Sequence, residues 1–236
     1  MSEQYPHAPL VQAICEVRFH GETAIESARP RIQKELRDSL PLLFVPKAKP
    51  DVAVALQPYV FMATDQTEQF HCALNSFAYI TKRYSGYAKY RERLLGLARQ
   101  FSEIVPEVQE LTRVGLRYIN HIPILRESKE AAIPLEDYLT VGLKLPPSIG
   151  ATLTQLESTF TVRLAAGTLK VMLRVEEGAS AVGPERLVLD FDFAQLDDLQ
   201  MTRLPEYLDV AHEQTKRVFT DLVSDRYLPV MRGNTQ

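Results

Sequence analysis

The strongest constraint on the fold is a stretch of two-residue alternation near the middle of this 236-residue chain, in residues 111–122. One set of alternate positions is apolar or aromatic and comprises Val114, Leu116, Tyr118 and Ile122. The other set comprises Arg113, Gly115, Arg117, Ile119 and His121. Because successive side chains of a β-strand point to opposite faces, this pattern predicts a long strand with one apolar and one mainly polar face.

A second stretch, residues 10–20, has the same period. Its apolar set is Val11, Ala13, Cys15, Val17 and Phe19, and its polar set is Gln12, Glu16, Arg18 and His20. Each of the two strands opens a similar series of elements. The chain is therefore interpreted as two related halves, residues 1–106 and 107–236, packed as one globular unit.

In the first half, apolar residues spaced by three or four predict a helix within residues 22–40. It either starts after Gly21 and kinks at Pro30 or, as we favour, begins near Ala28 with Pro30 in its first turn. Pro41, Pro46 and Pro50 predict a loop after it. Alternation then predicts strands over residues 52–62, 68–74 and 77–84, and helical spacing returns over residues 87–105.

The second half follows the same order. It is predicted to contain the long strand, a short helix over 134–143, strands over 153–164, 168–176 and 186–193, and a helix over 204–225. The sequence thus predicts an α+β fold built from a duplicated β-α-β-β-β-α unit. Most strands have one apolar and one polar face, which favours antiparallel sheet with helices on one side, as two sheets or as one continuous curved sheet.

Composition and charge argue against several classes of function. The net charge of -3 and pI near 6.0 argue against broad, sequence-independent binding to nucleic acid. Cys15 and Cys72 lack the short spacing of a metal or redox pair, which predicts reduced core thiols. With no signal-like N-terminus and no long apolar run, we expect a cytoplasmic protein without a membrane partner.

No familiar catalytic pattern is present: there is no phosphate-binding glycine loop, no G-x-S-x-G turn and no H-E-x-x-H pair. We therefore expect a protein that is not an enzyme and has no cofactor. The histidines are far apart in sequence, and Asp190 and Asp192, although spaced as two metal ligands on one strand face, are also typical of a solvated strand. No metal site is predicted.

The polar faces of the two alternating strands are the leading candidate site. It comprises Glu16, Arg18, Arg113, Arg117 and His121, with His20 in the matching position of the first half. If the halves meet at these strands, the charges form either a ligand or partner surface, or cross-strand ion pairs. An arginine fork is suited to holding a carboxylate or phosphate through two hydrogen bonds.

A basic and aromatic cluster lies in residues 79–93. Tyr79, Tyr84, Tyr87 and Tyr90 alternate there with Lys82, Arg83, Lys89, Arg91 and Arg93. A nucleic-acid contact would use Lys82, Arg83, Tyr84, Lys89 and Arg91. The other interpretation is that Tyr90 belongs to the core and that the bases are solvated.

Three segments carry a resemblance: residues 7–19 (HAPLVQAICEVRF), 113–120 (RVGLRYIN) and 208–219 (LDVAHEQTKRVF). In these segments the chain resembles a sporadically distributed family of uncharacterised bacterial proteins without an established activity. Gln12 stands where the resemblance leads us to expect an acidic residue. A patchy distribution of this kind is typical of genes that travel with mobile elements, including toxin-antitoxin and phage-defence operons.

These observations lead to three functional hypotheses, of which the first is favoured. The first is a non-enzymatic component that binds a protein partner, as an antitoxin or an accessory subunit of a bacterial defence system. The second is a small-molecule or nucleotide sensor that uses the polar sheet face, with Arg18 and Arg117 as anion anchors. The third is nucleic-acid binding through residues 79–93.

Overall fold

A computed structural model describes residues 8–46, 57–125, 128, 131–142, 153–177 and 185–233. The strands are β1 (Leu10–Arg18), β2 (Leu42–Phe44), β3 (Tyr59–Met62), β4 (Glu68–Ala73), β5 (Ser76–Thr81), β6 (Glu110–Pro123), β7 (Glu157–Leu164), β8 (Gly167–Glu176) and β9 (Arg186–Gln200). The helices are α1 (Ala24–Leu36), α2 (Tyr87–Ile104), α3 (Leu135–Tyr138), α4 (Leu204–Leu222) and α5 (Leu228–Met231).

The nine strands of the described residues form one continuous antiparallel sheet, in the order β2-β3-β4-β5-β1-β6-β9-β8-β7. The two alternating strands, β1 and β6, are neighbours. Outward from β1 the order is β5, β4, β3, and outward from β6 it is β9, β8, β7, so the halves have the same strand order about the β1–β6 pair. The predicted α+β fold is confirmed, and the strands of both halves belong to one antiparallel sheet.

The apolar faces of β1 and β6 lie in the core, as predicted. Ala13, Cys15, Val114 and Leu116 are each fully buried. Helices α1, α2 and α4 cover this side of the sheet, where α2 packs against both α1 and α4, and α4 packs on β6 and β9. Burying this face of every central strand accounts for the alternating pattern, although Val60, Ala73, Val188 and Asp190 of the opposite face are buried as well.

The first helix begins earlier than predicted. It starts at Ala24, so Pro30 lies inside the helix and not in its first turn. The Ala24 N–H donates a 2.8 Å hydrogen bond to the Glu22 side chain. Pro30 removes one backbone hydrogen bond, but the longer helix buries Ile25 as well as Ala28 against the sheet.

Several strand and helix bounds also differ from the prediction. The loop predicted after α1 contains β2, which is held by pairing with β3. Strand β9 continues to Gln200, and α3 has only four residues. The first part of the strand predicted over 52–62 and the end of the helix predicted over 134–143 lie outside the described residues.

None of the described helices is both long enough and apolar enough to cross a membrane.

Candidate functional site on the open face of the sheet

The side of the sheet opposite the helices is here called the open face. Strand register aligns its side chains in rows that cross all nine strands. One row is Phe44, Val60, His71, Ala78, Glu16, Gly115, Ala194, Thr168 and Arg163. The next is Leu42, Met62, Gln69, Ile80, Ile14, Arg117, Asp192, Lys170 and Thr161. The second row changes from uncharged to charged residues at Arg117, Asp192 and Lys170, whereas the first row has charged residues only at Glu16 and Arg163.

The first part of the open face, formed by β2 to β5, is here called the uncharged half. Its side chains are Leu42, Phe44, Val60, Met62, Gln69, His71, Ala73, Ser76, Ala78 and Ile80. None of these described residues is an acid, lysine or arginine. Burial lowers the pKa of His71, so its imidazole is neutral at pH 7. At the free edge, Leu42 is 37% and Phe44 52% exposed.

The other part, formed by β6 to β9, is here called the charged half. Its charged side chains are Arg113, Arg117, Glu157, Arg163, Lys170, Arg174, Glu176, Arg186, Asp190 and Asp192. Glu16 and Arg18 of β1 lie at its border. The two halves of the sheet therefore have the same strand order but present different side chains on the open face.

Arg113 joins the two halves of the chain at the middle of the sheet. Its Nη1 donates to Glu16 at 2.7 Å, and its Nη2 donates to Asp192 at 2.8 Å. Arg18 also donates to Glu16, at 2.9 Å. Gly115 makes the bridge feasible, because a Cβ at that position would lie 2.3 Å from Arg113 Nη1. The glycine thus leaves the space that the guanidinium occupies.

Arg117 forms the most buried ion pair of the open face. Its Nε and Nη2 donate to the two carboxylate oxygens of Asp190 at 2.7 and 2.5 Å. The Asp190 side chain is 1% exposed. The hydrogen bonds to Asp190 raise the pKa of Arg117. A carboxylate at this depth requires a charged partner, so both members of the pair are needed together.

The two histidines of the candidate site lie apart. Strands β1 and β6 are antiparallel, with Leu10 opposite Asn120 and Arg18 opposite Arg113. His121 therefore lies at the end of β6 near the start of β1, where its backbone N–H donates to Pro9 at 2.8 Å. His20 lies at the opposite end of the pair, beside Glu110 and Asp198.

The surroundings of His121 are charged. Arg174 and Arg186 both donate to Glu176, at 2.6 and 2.9 Å, and these three side chains act electrostatically on the imidazole. Burial is the main cause of its lowered pKa. His121 thus belongs to a separate charged group, away from the Arg113–Glu16 pair.

Three residues important to this arrangement were not recognised as such from sequence. Asp190 and Asp192 were considered only as weak metal ligands, and they are the carboxylate partners of Arg117 and Arg113. In the described residues no group of three or more His, Cys, Asp or Glu side chains could hold a metal. Gly115 carried a usable signal, because a glycine inside a strand often marks a close approach of other atoms.

The tyrosines of the basic and aromatic cluster lie mainly in the protein interior. Tyr79 and Tyr90 are buried, and the Tyr84 ring contacts Tyr90 and Tyr118 at centroid distances of 5.8 and 5.7 Å. Tyr87 stacks on His212 at 3.7 Å. These aromatic faces bind one another and are not arranged as a platform for bases.

The arginines of the cluster are engaged in ion pairs. Arg83 donates to Asp65 at 3.1 Å, and Arg91 holds Asp209 through two hydrogen bonds of 2.7 and 2.9 Å. Lys82 and Lys89 are exposed. The residues proposed for nucleic-acid contact are therefore divided between a tyrosine core and a paired surface.

Comparison with known proteins adds no assignment. No protein-family model matches the chain, and a search of curated proteins finds no significant relative.

Proposed function

We propose that this chain is a non-enzymatic binding protein that engages a protein partner through the uncharged half of its open face. One observation carries the proposal: across the described residues of β2 to β5, the open face contains no acid, lysine or arginine, while β6 to β9 carry many. A sheet face in contact only with water usually has polar side chains at alternate positions, whereas this face has three polar residues, Gln69, His71 and Ser76, among its apolar ones. Leu42, Phe44, Met62 and Ile80 of this face are at least partly exposed, whereas Val60 and Ala73 are buried. Exposed apolar side chains grouped on one surface are typical of protein interfaces.

In this proposal the charged half orients the partner protein, while the uncharged half supplies the apolar contact. Arg113 and Arg117 are held by ion pairs with carboxylates of the same chain, so their positions are fixed before a partner protein binds. Arg18, with 53% of its side chain exposed, and the exposed Lys170 extend from this ordered surface. Charges at the border of an apolar contact contribute to orientation and association rate more than to affinity.

The narrower form of the proposal is an antitoxin or an accessory subunit of a bacterial defence system. This form is based on the resemblance carried by residues 7–19, 113–120 and 208–219. The absence of familiar catalytic patterns in the sequence is in keeping with a binding role.

Affinity purification of the tagged chain from its native host tests the proposal. We expect a partner protein to copurify in a fixed molar ratio and to remain bound during size-exclusion chromatography with light scattering. A chain that elutes as a monomer, with no partner above a few per cent of the molar amount, would contradict the proposal. A mutant library screened for loss of the complex should give substitutions on β2 to β5.

A further inference from the structure

A pocket on the helix side of the sheet is separate from the open face. It has a volume of about 270 Å³ and lies between the start of α2, the β3–β4 turn and the end of β5. Its lining includes Thr67, Arg83, Ser85, Lys89, Tyr90 and Arg93. We propose that this pocket binds the phosphate group of a small phosphorylated molecule.

Two ion pairs fix the guanidinium groups that line the pocket. Arg83 donates to Asp65 at 3.1 Å, and Arg93 donates to Glu68 at 2.5 Å. Asp65 and Glu68 also line the pocket, so their negative charges are matched by these arginines. A guanidinium has five N–H donors, and each arginine here uses one in its ion pair, which leaves others for a ligand.

Lys89 supplies the excess positive charge. It is exposed at the pocket and has no carboxylate partner among the described residues, unlike Arg83 and Arg93. Three cations therefore face two carboxylates, and the side chain of Ser85 adds a hydroxyl donor. Donors that converge from several directions suit a tetrahedral phosphate dianion, whose oxygens can each accept a hydrogen bond.

The pocket is also lined by a buried polar group. Tyr90 is 4% exposed, and its hydroxyl has no hydrogen-bond partner among the described residues. Buried hydroxyls are normally paired; this one is closed to solvent, so a ligand in the pocket reaches it only if the side chains around it shift. The small volume favours a phosphate monoester over a long polymer.

Isothermal titration with inorganic phosphate and with adenosine monophosphate tests the assignment, and Lys89→Ala and Lys82→Ala form a matched pair. Both lysines are exposed and near in sequence, but Lys82 does not line the pocket. We expect Lys89→Ala to weaken the binding of both ligands about tenfold, which corresponds to one lost charge-assisted hydrogen bond. Lys82→Ala should change affinity less than about twofold, by screened long-range attraction alone.

Two results would overturn the proposal. One is no binding of either ligand to the intact protein at millimolar concentration. The other is that Lys89→Ala and Lys82→Ala weaken ligand binding equally, while an oligonucleotide without a terminal phosphate binds as tightly as the monophosphate. That combination would indicate a diffuse nucleic-acid surface. Thermal melting of both variants supplies the folding control. Failure here would leave the partner proposal intact, since the open face does not include this pocket.

Discussion

Gly115→Ala is the most informative single substitution, because the structure predicts that its effect depends on another residue. The new Cβ would lie 2.3 Å from Nη1 and 2.6 Å from Cζ of Arg113. These atoms are at the end of a flexible side chain, so the guanidinium can move away while the strand stays in place. Its hydrogen bonds to Glu16 and Asp192 would then be lost.

The magnitude follows from two opposing contributions. Glu16 and Asp192 are 31% and 34% exposed, so the two hydrogen bonds together contribute about 1–2 kcal/mol, below the range for fully buried charged groups. Gly115 does not have a positive φ. Alanine in its place therefore stabilises the strand by about 0.5–1 kcal/mol through the unfolded state.

Urea denaturation of the four proteins of a double-mutant cycle measures the coupling. Gly115→Ala should destabilise the wild type by about 1 kcal/mol and stabilise an Arg113→Ala background by about 0.5–1 kcal/mol. The change of sign is the specific expectation. If Gly115→Ala changes the free energy of unfolding equally in the wild-type and Arg113→Ala backgrounds, the conclusion that Gly115 leaves space for the Arg113 side chain is refuted.

The remaining predictions concern buried groups. Arg117→Ala leaves the Asp190 carboxylate without its partner and should destabilise the protein by about 2–3 kcal/mol. This is less than for a fully buried pair, because Arg117 is 39% exposed. The double variant Arg117→Met, Asp190→Leu should recover most of the lost stability in urea titrations, and no recovery would contradict the pairing. Burial lowers the pKa of His212 to about 4. Between about pH 6.5 and 4 the unfolded chain therefore binds more protons than the folded protein. The free energy of unfolding should fall by about 2–3 kcal/mol as the pH is lowered through this range. His212→Gln should remove that part of the slope, and an unchanged slope would exclude His212 as its cause. Burial raises the pKa of the Cys15 and Cys72 thiols to about 12, so both should react with a thiol reagent at pH 8 only after unfolding; prompt reaction in the native protein would contradict their burial.

The local pattern predicted the fold well and the site less well, for a physical reason. Alternation in β1 and β6 depends on which side of each strand is buried, so it reveals the core faces of Val114 and Leu116 directly. The pairing of Arg117 with Asp190 depends on the register between strands that are 73 residues apart, and no local period records it. The contrast between the uncharged and charged halves likewise becomes visible only when strand order is known.

Tertiary contacts also overrode local rules. Pro30 was expected in a first helical turn, but burial of Ile25 extends α1 toward the N-terminus. The cluster of tyrosines and bases resembled a nucleic-acid surface because a linear pattern does not show that Tyr90 and Tyr118 meet Tyr84 in the interior. Their buried positions arise from packing between α2, β5 and β6.

The central claim, that the uncharged half binds a partner, is tested most directly by adding one charge to each half of the same cross-strand row. Ile80 and Thr161 both lie in the row that contains Arg117, with Ile80 in the uncharged half and Thr161 in the charged half. Both side chains are at least partly exposed, so lysine at either position can reach water. Quantitative capture from the native host should show that Ile80→Lys loses the stoichiometric partner, while Thr161→Lys, with an unchanged melting temperature, retains it. Full retention by a folded Ile80→Lys variant would contradict the account.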